Sequence, residues 1–175
     1  MGAMMKIRLY GVVNDSIVDG PGLRYAIFTQ GCPHHCEGCH NPQSHDSQGG
    51  YEEDISVLLW EIDQNPLLDG ITISGGEPFL QPQPLIALVK EVKKRGLHVM
   101  IYSGYTFEEI MGLGQWHQEL LSLCDILVDG RFILSLRSLD LLYKGSSNQR
   151  IIAIQKSMKE HHIVLQDINE YGELV

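Results

Sequence analysis

Three of the chain's four cysteines fall inside one short run, Gly31-Cys-Pro-His-His-Cys-Glu-Gly-Cys-His-Asn-Pro42, in the spacing Cys32-x3-Cys36-x2-Cys39. Thiols this close serve either a metal site or a disulfide cluster, and an odd number suits metal. Met1 to Tyr10 lacks the apolar segment of a secretory leader, so a reducing, cytoplasmic setting with free thiols is expected. Structural zinc closes a shell of four ligands, commonly from two Cys or Cys–His pairs. Here one loop offers three thiolates and no second pair follows. A cubane iron–sulfur cluster fits that count when three irons take cysteine and the fourth stays open for a substrate or cofactor. Zinc stays open as an alternative, because His34, His35, His40 or His45 could complete its shell.

At 175 residues the chain has the length of one domain, expected over residues 5–175, with Met1-Gly2-Ala3-Met4 read as an expression scar. A content of 43% hydrophobic and 20% charged residues is that of a soluble globular protein. The net charge of -9 argues against a nucleic-acid partner, which would need a basic face. No apolar run approaches a membrane span.

Ile7 to Val13 alternates loosely, as an edge strand or ribbon does. Asn14 to Gly22 is turn chemistry. Arg24 to Thr29 reads as a buried strand leading straight into the cysteine loop. Polar Gln43 to Glu53 reads as loop. Asp54 caps a helix to about Gln64, with Ile55, Leu58, Leu59 and Ile62 on one face. Strand Ile71–Ile73 follows. A helix opening at Pro84 buries Leu85, Leu88, Val89 and Val92 and stops at Gly96. After strand His98–Tyr102, Thr106 and Glu109 form a capping box, and the helix it opens is broken at Gly112 and Gly114 and resumes over 115–123. Asp125–Val128 and Arg150–Ile154 are further strands. This alternation predicts an α/β fold with a parallel sheet and right-handed crossovers. The chain is too short for eight βα units, so an open, partial βα barrel is expected.

In such a fold the C-terminal ends of the strands converge on one mouth. Ser74-Gly75-Gly76-Glu77-Pro78 sits at one such end, its glycines able to bring backbone close to a ligand. Glu77 reads either as a surface carboxylate or as a receiver for a cationic amine. Ser103 is either an ordinary turn residue or a ligand contact. Asp129 ends an apolar strand, which favours a pocket role, with Arg131 placed to pair with it. Cys124, at a strand entrance, reads as a buried apolar thiol.

Taken together, Asp19-Gly-Pro-Gly-Leu-Arg24, the cysteine run through Pro42, and Gly75-Gly76-Glu77-Pro78 resemble the radical S-adenosylmethionine superfamily, and within it the activating enzymes of glycyl-radical enzymes. The short length, Tyr102-Ser-Gly-Tyr105, Asp129-Gly-Arg-Phe132 and Gly145-Ser-Ser-Asn-Gln-Arg150 resemble the branch that activates anaerobic ribonucleoside-triphosphate reductase. The resemblance spans about Ile7 to Ile154. It implies that Cys32, Cys36 and Cys39 hold a [4Fe–4S] cluster whose open iron is chelated by S-adenosylmethionine. It implies that Gly75, Gly76, Glu77 and Pro78 hold the methionine amino group through backbone carbonyls, and that Gly38, Cys39 and His40 lie near the adenine. Many superfamily members carry an aromatic where this chain has Gly38, and His40 is the ring offered instead. A weaker likeness, to an Asp-x-Lys pattern in pyruvate formate-lyase activators, makes Asp129 a candidate catalytic residue.

The implied reaction is reductive cleavage of S-adenosylmethionine and hydrogen abstraction from a glycine of a partner enzyme, with an electron donor such as flavodoxin or ferredoxin. Only about twenty residues follow Ile154 and they carry no catalytic motif, so the mouth is expected to be covered by that protein substrate. The alternatives are an activator of pyruvate formate-lyase type, a small radical enzyme of the deazapurine pathway, and a zinc or electron-transfer module.

Overall fold

The computed structural model describes residues 5–175; the four residues read as an expression scar lie outside them. Seven strands form one open sheet: β1 (Lys6–Ser16), β2 (Arg24–Thr29), β3 (Tyr51–Asp54), β4 (Gly70–Gly75), β5 (His98–Ser103), β6 (Ile126–Asp129) and β7 (Arg150–Ala153), in the order β3-β1-β2-β4-β5-β6-β7. The central run β2-β4-β5-β6 is parallel, as the alternation predicted. Its crossovers carry α1 (Ile55–Asp63), α2 (Pro82–Lys94), and the pair α3 (Phe107–Met111) and α4 (Gln115–Leu123); α5 (Ile154–Glu160) follows β7.

Both flanks of the sheet are antiparallel, which strand–helix alternation did not convey. β1 pairs β2 on one side and β3 on the other, so it is interior and not an edge. β3, expected as loop, is the edge; its Tyr-Glu-Glu-Asp sequence has no apolar alternation because little of it is buried. β7 pairs β6 antiparallel. The helix signals were accurate. Asp54 accepts from the Ser56 amide, Thr106 and Glu109 complete a capping box, and Gly96 takes a φ of 73° behind α2. α2 begins two residues before Pro84, with both Pro82 and Pro84 in a first turn whose amides need no partner.

The two faces of the sheet differ because side chains alternate along a strand. Tyr25, Ile27, Ile71, Ile73, Val99, Ile101, Leu127 and Ile152 join Leu58, Ile62, Leu85, Leu88, Val92 and Leu121 in the main core. Truncating one of these, as in Leu88→Ala, removes a side chain with no exposure and costs about 2 to 5 kcal/mol. Residues between them in sequence share the opposite, inner face, and the register stacks them in layers. Arg24, Gly70 and His98 lie at the base, and Ala26, Thr72, Met100 and Ile126 above them. Tyr102 and Val128 pair in the layer above, where Phe28 and Ser74 also pair.

The base layer holds a buried cation. Arg24 donates to Thr72 Oγ1 at 2.7 Å, to the carbonyls of Pro21 and Ile71 at 2.8 and 2.6 Å, and to His98 Nδ1 at 2.9 Å. Gly70 is glycine because a Cβ there would stand 2.3 Å from the His98 carbonyl oxygen and 2.8 Å from the guanidinium. Burial lowers the Arg24 pKa to about 10, leaving it charged at neutral pH. Burial, and then the Arg24 charge, hold His98 down to about 4, so its neutral ring accepts from Arg24. An imidazole at 6.5 when unfolded and near 4 when folded binds its proton in the unfolded chain first. Stability is therefore full above pH 6.5 and is lost as pH falls toward 4. Discounted for partial exposure, the loss between pH 6.5 and 5 is about 1 kcal/mol. Denaturant unfolding at the two pH values should show this slope in the wild type and lose it in His98→Asn.

Candidate metal centre

The cysteine loop is pinned at its base by backbone. Gly31 and Cys32 donate to the carbonyls of Ser44 and His45 at 2.6 and 3.1 Å, closing the loop with a 3-10 turn over Pro42–Ser44. The Gln30 side chain ties the same segment to the carbonyls of Gln43 and Asp46. The end of β4 then docks on the loop, Gly76 donating to the Thr29 carbonyl at 2.8 Å and Glu77 to that of Gly31 at 2.7 Å. This contact explains the two glycines. A Cβ on Gly76 would stand 2.3 Å from the Gly31 oxygen, and one on Gly75, at φ 104°, would stand 2.3 Å from the Thr29 nitrogen. The expected reason for Gly76 was room for a ligand; close packing on the cysteine loop is a prior one.

Above the top layer opens a cavity of about 720 Å³, lined by Cys32, Cys36, Cys39, His40, Gly75, Gly76 and Ser103 among the residues singled out in the sequence. All four cysteines are free; the three of the motif are half-buried and Cys124 is buried. Burial pushes the Cys32 thiol pKa up, with the nearby backbone of His34 and His35 acting in the opposite direction. His40 lies on the wall with its ring 5.3 Å from that of Phe132. Gly38 does not line the cavity; it turns at φ 74°, where a Cβ would meet Leu134 at 2.8 Å.

Glu77 is neither a surface carboxylate nor free for an amine. It is fully buried. Its Oε1 accepts from His34 Nε2 and the Gly104 amide, both at 2.7 Å, its Oε2 from the Phe79 amide at 2.9 Å, and Ser103 Oγ lies 2.9 Å from both oxygens. Ser103, although on the wall, therefore commits its hydroxyl to Glu77 while accepting from the Tyr105 amide. Pro78 is buried behind Glu77 and does not line the cavity.

Asp129 is also off the cavity. It is 1% exposed, and its carboxylate is held by the Arg150 guanidinium at 3.0 and 2.6 Å and by the Phe107 amide at 2.7 Å. The cation paired with it is Arg150, across the β6–β7 register, and not Arg131. The hydrogen bonds to Asp129 and Glu108 push the Arg150 pKa up.

Several wall residues were not foreseen. Asp19 was read as turn chemistry, and its carboxylate accepts from the Ser16 hydroxyl. Tyr143, Lys144 and Gln149 come from an irregular segment with no periodicity to read. The His34–Glu77 contact had a half-signal, since both residues stood in motifs, but nothing in spacing joined them.

The profile of the family described as a 4Fe-4S single cluster domain matches residues 18–152. The chain belongs to that family. Among its relatives, the anaerobic ribonucleoside-triphosphate reductase-activating protein of Salmonella typhi is 33% identical over 142 residues, which are 76% of this chain and 90% of that protein. The protein of the same name from Escherichia coli K12 is 33% identical over 144 residues, with the same coverage. The pyruvate formate-lyase-activating enzyme of Clostridium pasteurianum is 38% identical over 117 residues, 62% of this chain but 49% of that enzyme. The crystal structure of QueE from Escherichia coli overlaps 58% of this chain and 54% of its own at 19% identity and a TM-score of 0.47, a partial likeness only.

The residues present suit the family's cluster. Three free thiols share one cavity wall, and the buried Nε2 of His45, on the same wall, has no hydrogen-bond partner among the described residues.

Two substitutions separate support from metal binding. Asp129→Asn should lower the unfolding free energy by about 2 to 3 kcal/mol, because it breaks a pair with one buried member, while iron bound per folded chain stays at the wild-type value. Gly76→Ala should reduce iron uptake, because its Cβ lifts β4 from the base of the cysteine loop; iron assay of the reconstituted variants reads both.

Proposed function

We propose that the chain activates an anaerobic ribonucleoside-triphosphate reductase, as a radical S-adenosylmethionine enzyme with a [4Fe–4S] cluster on Cys32, Cys36 and Cys39. The observation that carries the reading is the meeting of three thiols and the Gly75–Gly76 backbone on one cavity at the ends of parallel strands. It comes in a chain that covers 90% of relatives named as activators of that reductase. When bound, the cluster and S-adenosylmethionine supply a one-electron cleavage of the sulfonium and a radical able to take hydrogen from a glycine Cα.

The chain's own residues bind and orient. The three thiolates anchor three irons. The peptide groups of Gly75 and Gly76, bare of side chains, offer hydrogen bonds to the methionine end, and Lys144 and Asp19 put charge of both signs on the wall. Phe28, Tyr102, His40 and Phe132 give the adenosyl group an aromatic surround. Tyr102 donates to the Tyr143 carbonyl at 2.6 Å, tying the segment before β7 to the cavity wall. The open rim carries Val18 and Leu139, at 75% and 85% exposure, and this is where a glycine-bearing segment of the partner would enter. The electron would come from a flavodoxin- or ferredoxin-type donor in a reducing cytoplasm.

Anaerobic reconstitution should give about four irons per chain, lost in Cys32→Ala, Cys36→Ala and Cys39→Ala and kept in Cys124→Ala. Mixed with S-adenosylmethionine, reductant and the reductase large subunit, the loaded protein should produce a glycyl doublet by electron paramagnetic resonance. A doublet on pyruvate formate-lyase instead would transfer the reading to that activator class. One zinc per chain with no iron uptake would end it.

A further inference from the structure

Residues 163–175 carry no catalytic motif, yet they touch a residue of the cavity wall. After α5 they run antiparallel along the outer edge of β7. The Ala153 amide donates to the Val164 carbonyl and the Gln166 amide to the Ile151 carbonyl, both at 2.9 Å. They then fold back on themselves, the Asn169 amide donating to the Glu173 carbonyl at 2.9 Å and the Val175 amide to that of Asp167 at 3.1 Å. In the turn between, the Gly172 carbonyl accepts from the Tyr143 hydroxyl at 2.8 Å. Gly172 sits at φ 82°, and a Cβ on it would stand 2.4 Å from that hydroxyl, so glycine permits the approach.

Tyr143 lines the cavity and is held at both ends. Its carbonyl accepts from the Tyr102 hydroxyl at 2.6 Å, while its own hydroxyl reaches Gly172. Between these contacts its backbone sits at φ 61°, a left-handed conformation that few non-glycine residues adopt. Such a conformation persists where its surroundings over-determine it. It also sets the course of the next two residues, Lys144 and Gly145, which line the same cavity. Lys144 Nζ donates to the Gln149 carbonyl at 3.1 Å and the Gly145 amide to Gln149 Oε1 at 2.8 Å. None of residues 143–145 lies in a helix or strand, so no regular ladder of hydrogen bonds fixes them.

We propose that residues 163–175 are a strap that holds residues 143–145 in place as cavity wall, acting through the Tyr143 hydroxyl. Tyr143 is then a positioning residue for the ligand of the cavity, which the preceding reading makes S-adenosylmethionine. The strap rests on that reading for the identity of the ligand alone. The state of the wall can be followed in the apoprotein, without cluster, S-adenosylmethionine or reductase. Failure of the reductase assay and failure of the strap are therefore separate results.

The test compares the full chain with Tyr143→Phe, with a chain ending at Gln166, and with the two changes combined, by amide hydrogen exchange in the apoprotein. Tyr143→Phe should speed exchange of the Gly145 amide about three- to tenfold, the worth of one hydrogen bond. The Ile73 and Ile101 amides of the core strands should keep their wild-type rates. The shortened chain should speed Gly145 at least as much, and Tyr143→Phe should add nothing to it, because both changes remove the same contact. Wild-type exchange at Gly145 in Tyr143→Phe overturns the strap. So do additive effects, and so does an equal loss at Ile73 and Ile101, which would mean general destabilisation. Should the shortened chain fail to fold, the Asn169 amide in Tyr143→Phe decides. Coupling is reciprocal, so strap and wall must loosen together; faster exchange at Asn169 alone overturns the strap. After reconstitution, Tyr143→Phe should hold wild-type iron and bind S-adenosylmethionine about three- to tenfold more weakly. Wild-type affinity overturns the positioning role. If the wild type itself binds none, the preceding reading fails and the exchange result alone decides the strap.

Discussion

A carboxylate taken out of water must be surrounded by donors, and Glu77 draws its donors from three separate stretches of chain. Left without them, a buried charge of this kind costs several kcal/mol. His34 comes from the cysteine loop, Ser103 and Gly104 from the end of β5, and Phe79 from the turn that Glu77 itself opens. The requirement therefore fixes the cysteine loop against two strand ends at once. Backbone contacts make the same demand independently, since Gly76 meets the Gly31 carbonyl at a distance that admits no side chain. The thiols share a wall with the glycines because both constraints are satisfied in a single arrangement of β2, β4 and β5.

The inner face also buries a charge at its other end, by a different route. Among the described residues no carboxylate hydrogen-bonds Arg24; carbonyls, a hydroxyl and a neutral imidazole surround it. A carboxylate partner would gain Coulomb energy at a second desolvation cost, whereas carbonyl dipoles are already present at strand and turn ends. This polar floor lies below the middle layer of Ala26, Thr72 and Met100, and the cavity lies beyond the layer above. The helices cover the opposite face, where the apolar residues alternate in. One strand sequence thus serves two environments, an oily one behind and a ligand-accommodating one in front.

That division decides what the sequence made legible. Arg24–Thr29 could be assigned in full because both its faces are buried, and α1, α2 and the Thr106 capping box because their signals are local. β3 was missed because an exposed edge strand needs no apolar residues. The cysteines, Gly75, Gly76 and His40 were readable as wall residues because chemistry dictates them. Glu77, Ser103 and Asp129 were recognised as special, but their partners were not. Apart from the neighbouring amides of Phe79 and Tyr105, their carboxylates and hydroxyl are satisfied by residues 21 to 43 positions away, His34 and Arg150 among them. Sequence spacing holds no record of such pairs. The burial of Glu77 was unreadable for the same reason, because the donors that permit it are distant in sequence.

The β6–β7 connection shows how a departure from the expected topology builds the site. A parallel strand would have required a crossover, usually a helix, on the outer face. An antiparallel β7 starts beside the end of β6, so the intervening residues 130–149 need not leave the mouth. Gly130, Phe132, Leu139, Tyr143, Lys144, Gly145 and Gln149 all line the cavity as a result. Gln149 fastens the segment at its far end, donating to the Gly130 carbonyl at 2.9 Å and accepting from the Gly145 amide at 2.8 Å. Arg150 then pairs with Asp129 and locks the register of the two strands. The wall that faces the thiols is supplied by a connection that breaks the strand–helix alternation. Asp129 supports that wall from outside the cavity lining.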